Sequence, residues 1–311
     1  MTLLPRPILI NGASHPAQQF RLLVADLARD NEGITRGTDL KVTQLGTPGG
    51  SVQVATGTAV VRGRVNAFQG SYACANTSSS TVSISPTAGA GRSDMLILRV
   101  EDPEHEGSID PATGNVCYFQ VISNVASNAT TIPDGRTGIP LARIDIPAST
   151  ATITNAMIVD IRQIANPRTE RKLWTQAPAS LSTVITGTAG TYSYFSTAAG
   201  WNIPIPAWAS VAKIRLDIGG LRLTTGAVFG DASATFGASL SMQAVNIDDN
   251  QSTTRRITHL NADTLTIPDA YRGTTQVLRA RARGVAGNAG GISVDTASVL
   301  IADVAFEEAP R

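Results

Sequence analysis

One run, Gly91–Val100 (GRSDMLILRV), limits the fold more than any other stretch of this chain. Met95, Leu96, Ile97 and Leu98 are apolar without interruption, so a strand built from them must be covered on both faces. Gly89 and Gly91 bound the run on one side and Asp102-Pro103 on the other. It is expected to be the central strand of a first domain, with Arg92 and Asp94 at its entrance. Those two charges can serve a ligand or pin neighbouring turns. The structural role is the expectation, because ion-pair networks are often architectural.

Around this run the pattern is short strands and turns. Leu40, Val42 and Gln44 alternate with Lys41 and Thr43, and Val52 and Val54 flank Gln53. Further strands are expected at 81–85, 116–122, 140–147 and 151–164. In the second half, Ala212, Ile214, Leu216 and Ile218 alternate with Lys213, Arg215 and Asp217, which marks an antiparallel sheet with one face buried. Similar segments recur to residue 306. The fold class is therefore mainly β: an amino-terminal β-domain over 1–165, and a carboxy-terminal antiparallel, jelly-roll-like sandwich over 177–311. Between them, 166–176 (NPRTERKLWTQ) concentrates charge between two prolines and reads as a linker, with Trp174 packing to one side.

One amphipathic helix is expected, over 14–30. Pro16 suits its first turn, and Phe20, Leu23, Val24 and Leu27 form an apolar stripe, with Arg21, Asp26, Arg29 and Asp30 on the other side. Asn31-Glu32-Gly33 stops it. A lone helix before an all-β domain must dock on its own sheet or on a partner, so Phe20, Leu23 and Leu27 are candidate partner contacts.

Net charge is +1, and neither half is strongly basic, so a nucleic-acid partner is not expected. No apolar run approaches the length of a membrane span, and Met1–Ile10 lacks the continuous core of a signal peptide. Lysine occurs only at 41, 172 and 213, so nearly all basic residues are arginine. Cys74 and Cys117 are too few for a disulfide framework and are expected to be buried thiols of a protein assembled in a reducing cytosol.

Catalytic signatures are scarce. His15, His105 and His259 fall in three different elements, and there is no Gly-x-Ser-x-Gly elbow or Cys-x-x-Cys pair. Glu104-His105-Glu106 reads as a loop tip. No enzyme, cofactor or metal is expected. Arg279, Arg281 and Arg283 share one face of a strand. They can hold phosphate or carboxylate bidentately, or pair with acids on a neighbouring strand or subunit. Tyr192, Tyr194, Trp201, Trp208 and Tyr271 are candidate platforms for sugar rings, or core anchors.

Three blocks carry a family resemblance: RGTDLKVTQLGTPGGSVQVATGTAVVRGR, GRSDMLILRVEDP and GIPLARIDIPASTATITNAMIVDIR. In this order, over roughly residues 10–165, they resemble the amino-terminal domain of minor tail and baseplate proteins of tailed bacteriophages, especially those of actinobacteria. The resemblance implies a structural protein of the virion tail tip, assembled in the host cytoplasm. Its partners would be itself, as a trimer or hexamer, and other tail proteins. Two alternatives stay open: a receptor-binding protein whose carboxy-terminal domain holds host cell-wall saccharide, and a cell-wall hydrolase.

Overall fold

The computed structural model describes residue 8 and residues 10–311. The chain forms two compact units, Met1–Pro167 with Ala309–Arg311, and Arg168–Glu308. None of its described helices is long and apolar enough to cross a membrane.

In the first unit, α1 (Ala17–Ala28) precedes β1 (Gly33–Ile34), β2 (Val42–Gln44), β3 (Ser51–Val54), β4 (Gly57–Arg62), β5 (Ser71–Asn76) and β6 (Ser80–Ser83). Then come β7 (Arg92–Val100), β8 (Cys117–Val125), β9 (Gly138–Ile146) and β10 (Ile158–Asp160). They form antiparallel sheets in the orders β1-β4-β5, β2-β3-β6 and β10-β9-β7-β8. The run that dominates the sequence is β7, inside its sheet between β9 and β8 and buried at every residue after Arg92. Its alternate side chains serve two cores. Leu96, Leu98 and Val100 join Val52, Val54 and Val61, while Met95 and Ile97 pack with Ile161. Burial on both faces is why the run is apolar without alternation.

The charged entrance of β7 is architecture. The buried Asp94 carboxylate accepts both bonds of Arg92 Nε, at 2.9 and 3.0 Å, and the Asn124 backbone N–H at 3.0 Å. Arg92 also donates to the carbonyls of Ser85 and Pro86, tying the preceding loop to the strand. Arg-x-Asp spacing closes such a pair within one strand because residues two apart share a face. Arg143 with Asp145, and Asp160 with Arg162, repeat it. Replacing Asp94 with Ala leaves Arg92 Nε and the Asn124 N–H without their acceptor, and should cost about 3 kcal/mol. The urea midpoint of the first unit reads this, and an unchanged midpoint would refute the clamp.

The second unit is the antiparallel sandwich. One sheet contains β11 (Thr169–Gln176), β14 (Val211–Leu223), β18 (Arg255–Thr266), β20 (Ile292–Ser293) and β21 (Val299–Glu307). Its main path runs β11-β21-β14-β18, and β20 pairs with β14. The facing sheet runs β12-β19-β15-β16, with β13 on β19 and β17 on β15. Its strands are β12 (Ser193–Tyr194), β13 (Trp201–Pro204), β15 (Val228–Phe236), β16 (Leu240–Ser241), β17 (Val245–Asp249) and β19 (Thr275–Gly284). Ala212, Ile214, Leu216 and Ile218 point into the core, as their alternation requires. A bulge at Gly219–Gly220 lets β14 run on to Leu223. Gly220 has φ +70°, and a Cβ there would lie 2.5 Å from the Ala297 carbonyl oxygen.

The expected linker is corrected. Thr169–Gln176 is β11, paired with β21 from Thr169↔Glu307 to Gln176↔Leu300. It is an edge strand, where charge is tolerated and blocks further pairing. Arg171 meets Asp303 on the neighbouring strand, and Trp174 packs against the core.

Inside the sandwich, β18 buries His259 and Asn261 side by side. Asn261 Nδ2 donates to the carbonyls of Gln243 (2.6 Å) and Ala232 (3.4 Å), while His259 Nε2 has no protein partner. Burial pushes the His259 pKa below its ordinary value of 6.5, against the opposing pull of the Ala232 carbonyl and Asp231. The unfolded imidazole therefore takes up a proton before the folded one, so stability falls as pH drops below about 6.5. The melting temperature of wild type should fall more steeply than that of His259→Leu between pH 7.5 and 5. Parallel curves would count against it.

Candidate functional site

The helix is built from strong formers, AQQFRLLVADLA, behind Pro16, which offers no side-chain cap. It stops before the expected Asn31-Glu32-Gly33 signal. Arg29 and Asp30 both adopt left-handed backbone, and the Asp30 N–H reaches back to the Ala25 carbonyl at 2.9 Å.

The face the protein keeps for itself is not the apolar one. Ala25, Ala28 and Gln19 are buried, whereas Phe20, Leu23 and Leu27 are 47%, 37% and 74% exposed. Arg21, expected to face away, is instead the anchor, with its side chain 11% exposed. Its Nε donates to the Gln69 carbonyl at 2.9 Å, and its guanidinium meets Asp102 at 3.3 Å and Glu104 at 2.6 Å while lying over the Tyr72 ring. Gly70, at φ +76°, leaves no room for a Cβ against the Arg21 backbone. The β4–β5 connection meets the helix with the carbonyls of Phe68 and Gln69, which accept from Gln18 and Arg21, and Asp102 and Glu104 add carboxylates. Polar contacts therefore take the helix, and small alanines let it approach. Phe68 and Val65, in the same connection, are also exposed.

Asp102, Glu104 and His105 bring ligating atoms within 4.8 Å of one another. The Arg21 guanidinium already supplies the positive charge such a cluster attracts. Burial raises the Asp102 carboxyl, but the Tyr72 hydroxyl at 2.7 Å, the Glu104 N–H and Arg21 outweigh it and hold it below the ordinary carboxylate range. A cleft of about 290 Å³ beside β1 is lined by Glu32, Arg64, Ile132 and Ile139, and its opposing charges bind each other.

In the second unit Arg279, Arg281 and Arg283 do lie in a row on one face of β19. Their cross-strand neighbours on β15 are Thr235, Ser233 and Asp231, and on β12 Tyr194 sits opposite Arg281. Arg283 Nε donates to Asp231 at 2.7 Å, and Arg281 Nε to Ser233 Oγ at 3.1 Å. Arg279 makes longer bonds to the carbonyls of Ala198 and Phe195. The guanidiniums stack on tyrosine: Arg281 and Arg283 over Tyr192 at 4.1 and 4.5 Å, and Arg279 over Tyr194 at 4.6 Å. The Tyr192 hydroxyl donates to Asp231 at 2.5 Å, and burial first, then that bond, raises its pKa. A ladder of rings and guanidiniums thus ties the two-residue β12 to the sheet.

Of the other candidate platforms, Trp201 is only 7% exposed and belongs to the core, so it offers no surface contact. Trp208 is half-buried under the Arg168 guanidinium, and the Tyr271 hydroxyl is bonded by Ser239. Asp231 is the site residue that motif reading passed over. Its signal was the alternation Asp231, Ser233, Thr235, with the same period of two as the arginine row it faces.

No family model and no curated protein matches this chain. Solved structures that resemble it include the VP2 subviral particle of infectious bursal disease virus, at 12% identity and a TM-score of 0.26, covering 90% of this chain and 79% of that one. The T13 particle of the same virus gives 13% identity and 0.25, covering 94% and 85%. A cycloalternan-forming enzyme of Listeria monocytogenes gives 10% and 0.20, covering 84% and 31%. Overlaps this low say nothing about function.

Replacing Arg21 with Ala should free α1 from the β4–β5 connection. Amide exchange over residues 17–28 should then speed up at least tenfold while β7 stays protected. Unaltered exchange in the helix would show that Arg21 is not its anchor.

Proposed function

We propose that this protein is a structural subunit of a virus particle, and more narrowly a minor tail or baseplate protein of a tailed phage that assembles with copies of itself as a trimer or hexamer. The observation that carries the reading is the outward apolar stripe of α1. Phe20, Leu23 and Leu27 follow i, i+3, i+7 spacing, the seam along which helices pack knob into hole. The resemblance of residues 10–165 to phage tail proteins supports the narrower assignment. In it the first unit attaches to the tail and self-associates, and the sandwich has the exposed role.

The reading is non-enzymatic. The polar clusters described above are ion pairs and ladders whose groups bind one another, which favours an architectural role for them. Closed symmetry suits such a protein, because one stripe is then used by every copy.

Light scattering of the full chain at micromolar concentration should give a multiple of the 32.4 kDa monomer mass. Leu23→Asp with Leu27→Asp should reduce it to one chain without lowering the melting temperature, since both side chains are exposed in the isolated fold. A wild-type monomer at that concentration sinks the proposal.

A further inference from the structure

Strand β8 is an edge, the last in the order β10-β9-β7-β8, and among the described residues it pairs with β7 alone. The register fixes which of its backbone groups that pairing leaves over. The Val100 N–H donates to the Thr137 carbonyl, on the β9 side, and the Glu101 N–H to the Val116 carbonyl, on the β8 side. Direction alternates along an antiparallel strand. Arg99, Ile97 and Met95 therefore turn their N–H and C=O groups to Tyr118, Gln120 and Ile122, while Leu98 and Leu96 turn theirs to the β9 side. Phe119 and Val121, opposite Leu98 and Leu96, point their own N–H and C=O groups away from the sheet. Edge strands are ordinarily guarded by charge, proline or shortness. The edges β11 and β18 carry Glu170, Arg171 and Lys172, and Arg255, Arg256 and Asp263, whereas β8, CYFQVISNV, has neither charge nor proline in nine residues. Cys117, expected to be buried, is exposed at its head, and Ser123 and Asn124 are exposed near its end.

The residues of this edge are complementary to themselves. Tyr118-Phe119-Gln120-Val121-Ile122 runs aromatic, aromatic, glutamine, β-branched, β-branched. Turned antiparallel on a second copy about Gln120, it sets Phe119 opposite the partner's Val121 and Tyr118 opposite the partner's Ile122. Aromatic on β-branched is a favourable cross-strand combination, and no charge meets its own copy. The hydrogen bonding agrees with this register. Gln120 spends its backbone groups on β7, so the Gln120 pair is of the non-bonded kind. Phe119 and the partner's Val121 then exchange two bonds, and their symmetry mates two more.

We propose that β8 is a two-fold edge at which two copies of this chain pair antiparallel about Gln120 and join two sheets into one. Phe119 and Val121 pack on the larger core of the first unit and Ile122 on the smaller, so the joined sheet carries both cores across the axis. A contact of this length is weak between two chains alone and gains from copies already held in a larger assembly. It uses a surface separate from the α1 stripe and does not rest on that reading. A two-fold axis has no place in a lone trimer, but it joins two trimers into a hexamer.

Cysteine placement in the full chain reads the register. In a Cys117→Ser background, Gln120→Cys puts two thiols across the axis on Cα atoms about 4.5 Å apart, within disulfide reach. Tyr118→Cys or Ile122→Cys alone leaves like positions about 14 Å apart, beyond it. After mild oxidation with oxidised glutathione, a non-reducing gel should show a linked pair of chains for Gln120→Cys, and for Tyr118→Cys combined with Ile122→Cys, but not for either of those two alone. Adding Val121→Pro to Gln120→Cys removes an outward N–H without touching the β7 ladder, and should abolish the link. The cysteine comparison stands without that variant if it does not fold. Gln120→Cys should still link in the Leu23→Asp, Leu27→Asp chain, so failure of the helix stripe and failure of this edge are read separately. No linked pair from Gln120→Cys, the result expected if the edge serves an extended segment of another protein, would overturn the proposal, as would equal linking of all three single variants.

Discussion

The Arg21 guanidinium decides which face of the helix the protein keeps for itself. By bonding the Gln69 carbonyl and the Asp102 and Glu104 carboxylates, it turns the Ala25 and Ala28 side inward and leaves Phe20, Leu23 and Leu27 in water. Fully burying one such side chain is worth roughly 1.5–3 kcal/mol. Covering a half-exposed stripe of three therefore yields a few kcal/mol per helix, before the cost of association. One such contact is weak, whereas the same contact repeated around a ring of copies is substantial. In the ring proposed above, the stripe would be used once by each copy.

Arginine is also what secures the thinly paired parts of the chain. Arg92 ties a loop to β7, and Arg168 grips Glu308 where β11 begins and β21 ends. Arg279, Arg281 and Arg283 hold the short β12 through tyrosine rings. A planar fork that can stack and donate several bonds at once suits each of these tasks, and an ammonium does not. The scarcity of lysine therefore has a structural counterpart.

Legibility followed burial. The apolar run of β7 was readable because two cores press on it, and β14 because one core does. Helix α1 was readable as an element but not in orientation, because its pattern says which side is apolar and not whether this chain covers it. Thr169–Gln176 was misread because an edge strand carrying Glu170, Arg171 and Lys172 has the composition of a linker, and the alternation that marks it rests largely on Trp174. The arginine row could be seen from its period of two. Its tyrosine partners could not, because Tyr194 lies in a two-residue strand and Tyr192 just before it, too short a segment to show a period of its own.

The pairing of β11 with β21 has a further consequence. The first and last strands of the sandwich run side by side in opposite directions, with Thr169 opposite Glu307. The chain thus enters and leaves this unit at neighbouring residues, and Ala309–Arg311 rejoins the first unit directly afterwards. Residues 168–308 therefore have the topology of a cassette set between two adjacent joints. A different sandwich with the same spacing between its ends could be spliced in without rerouting the rest of the backbone.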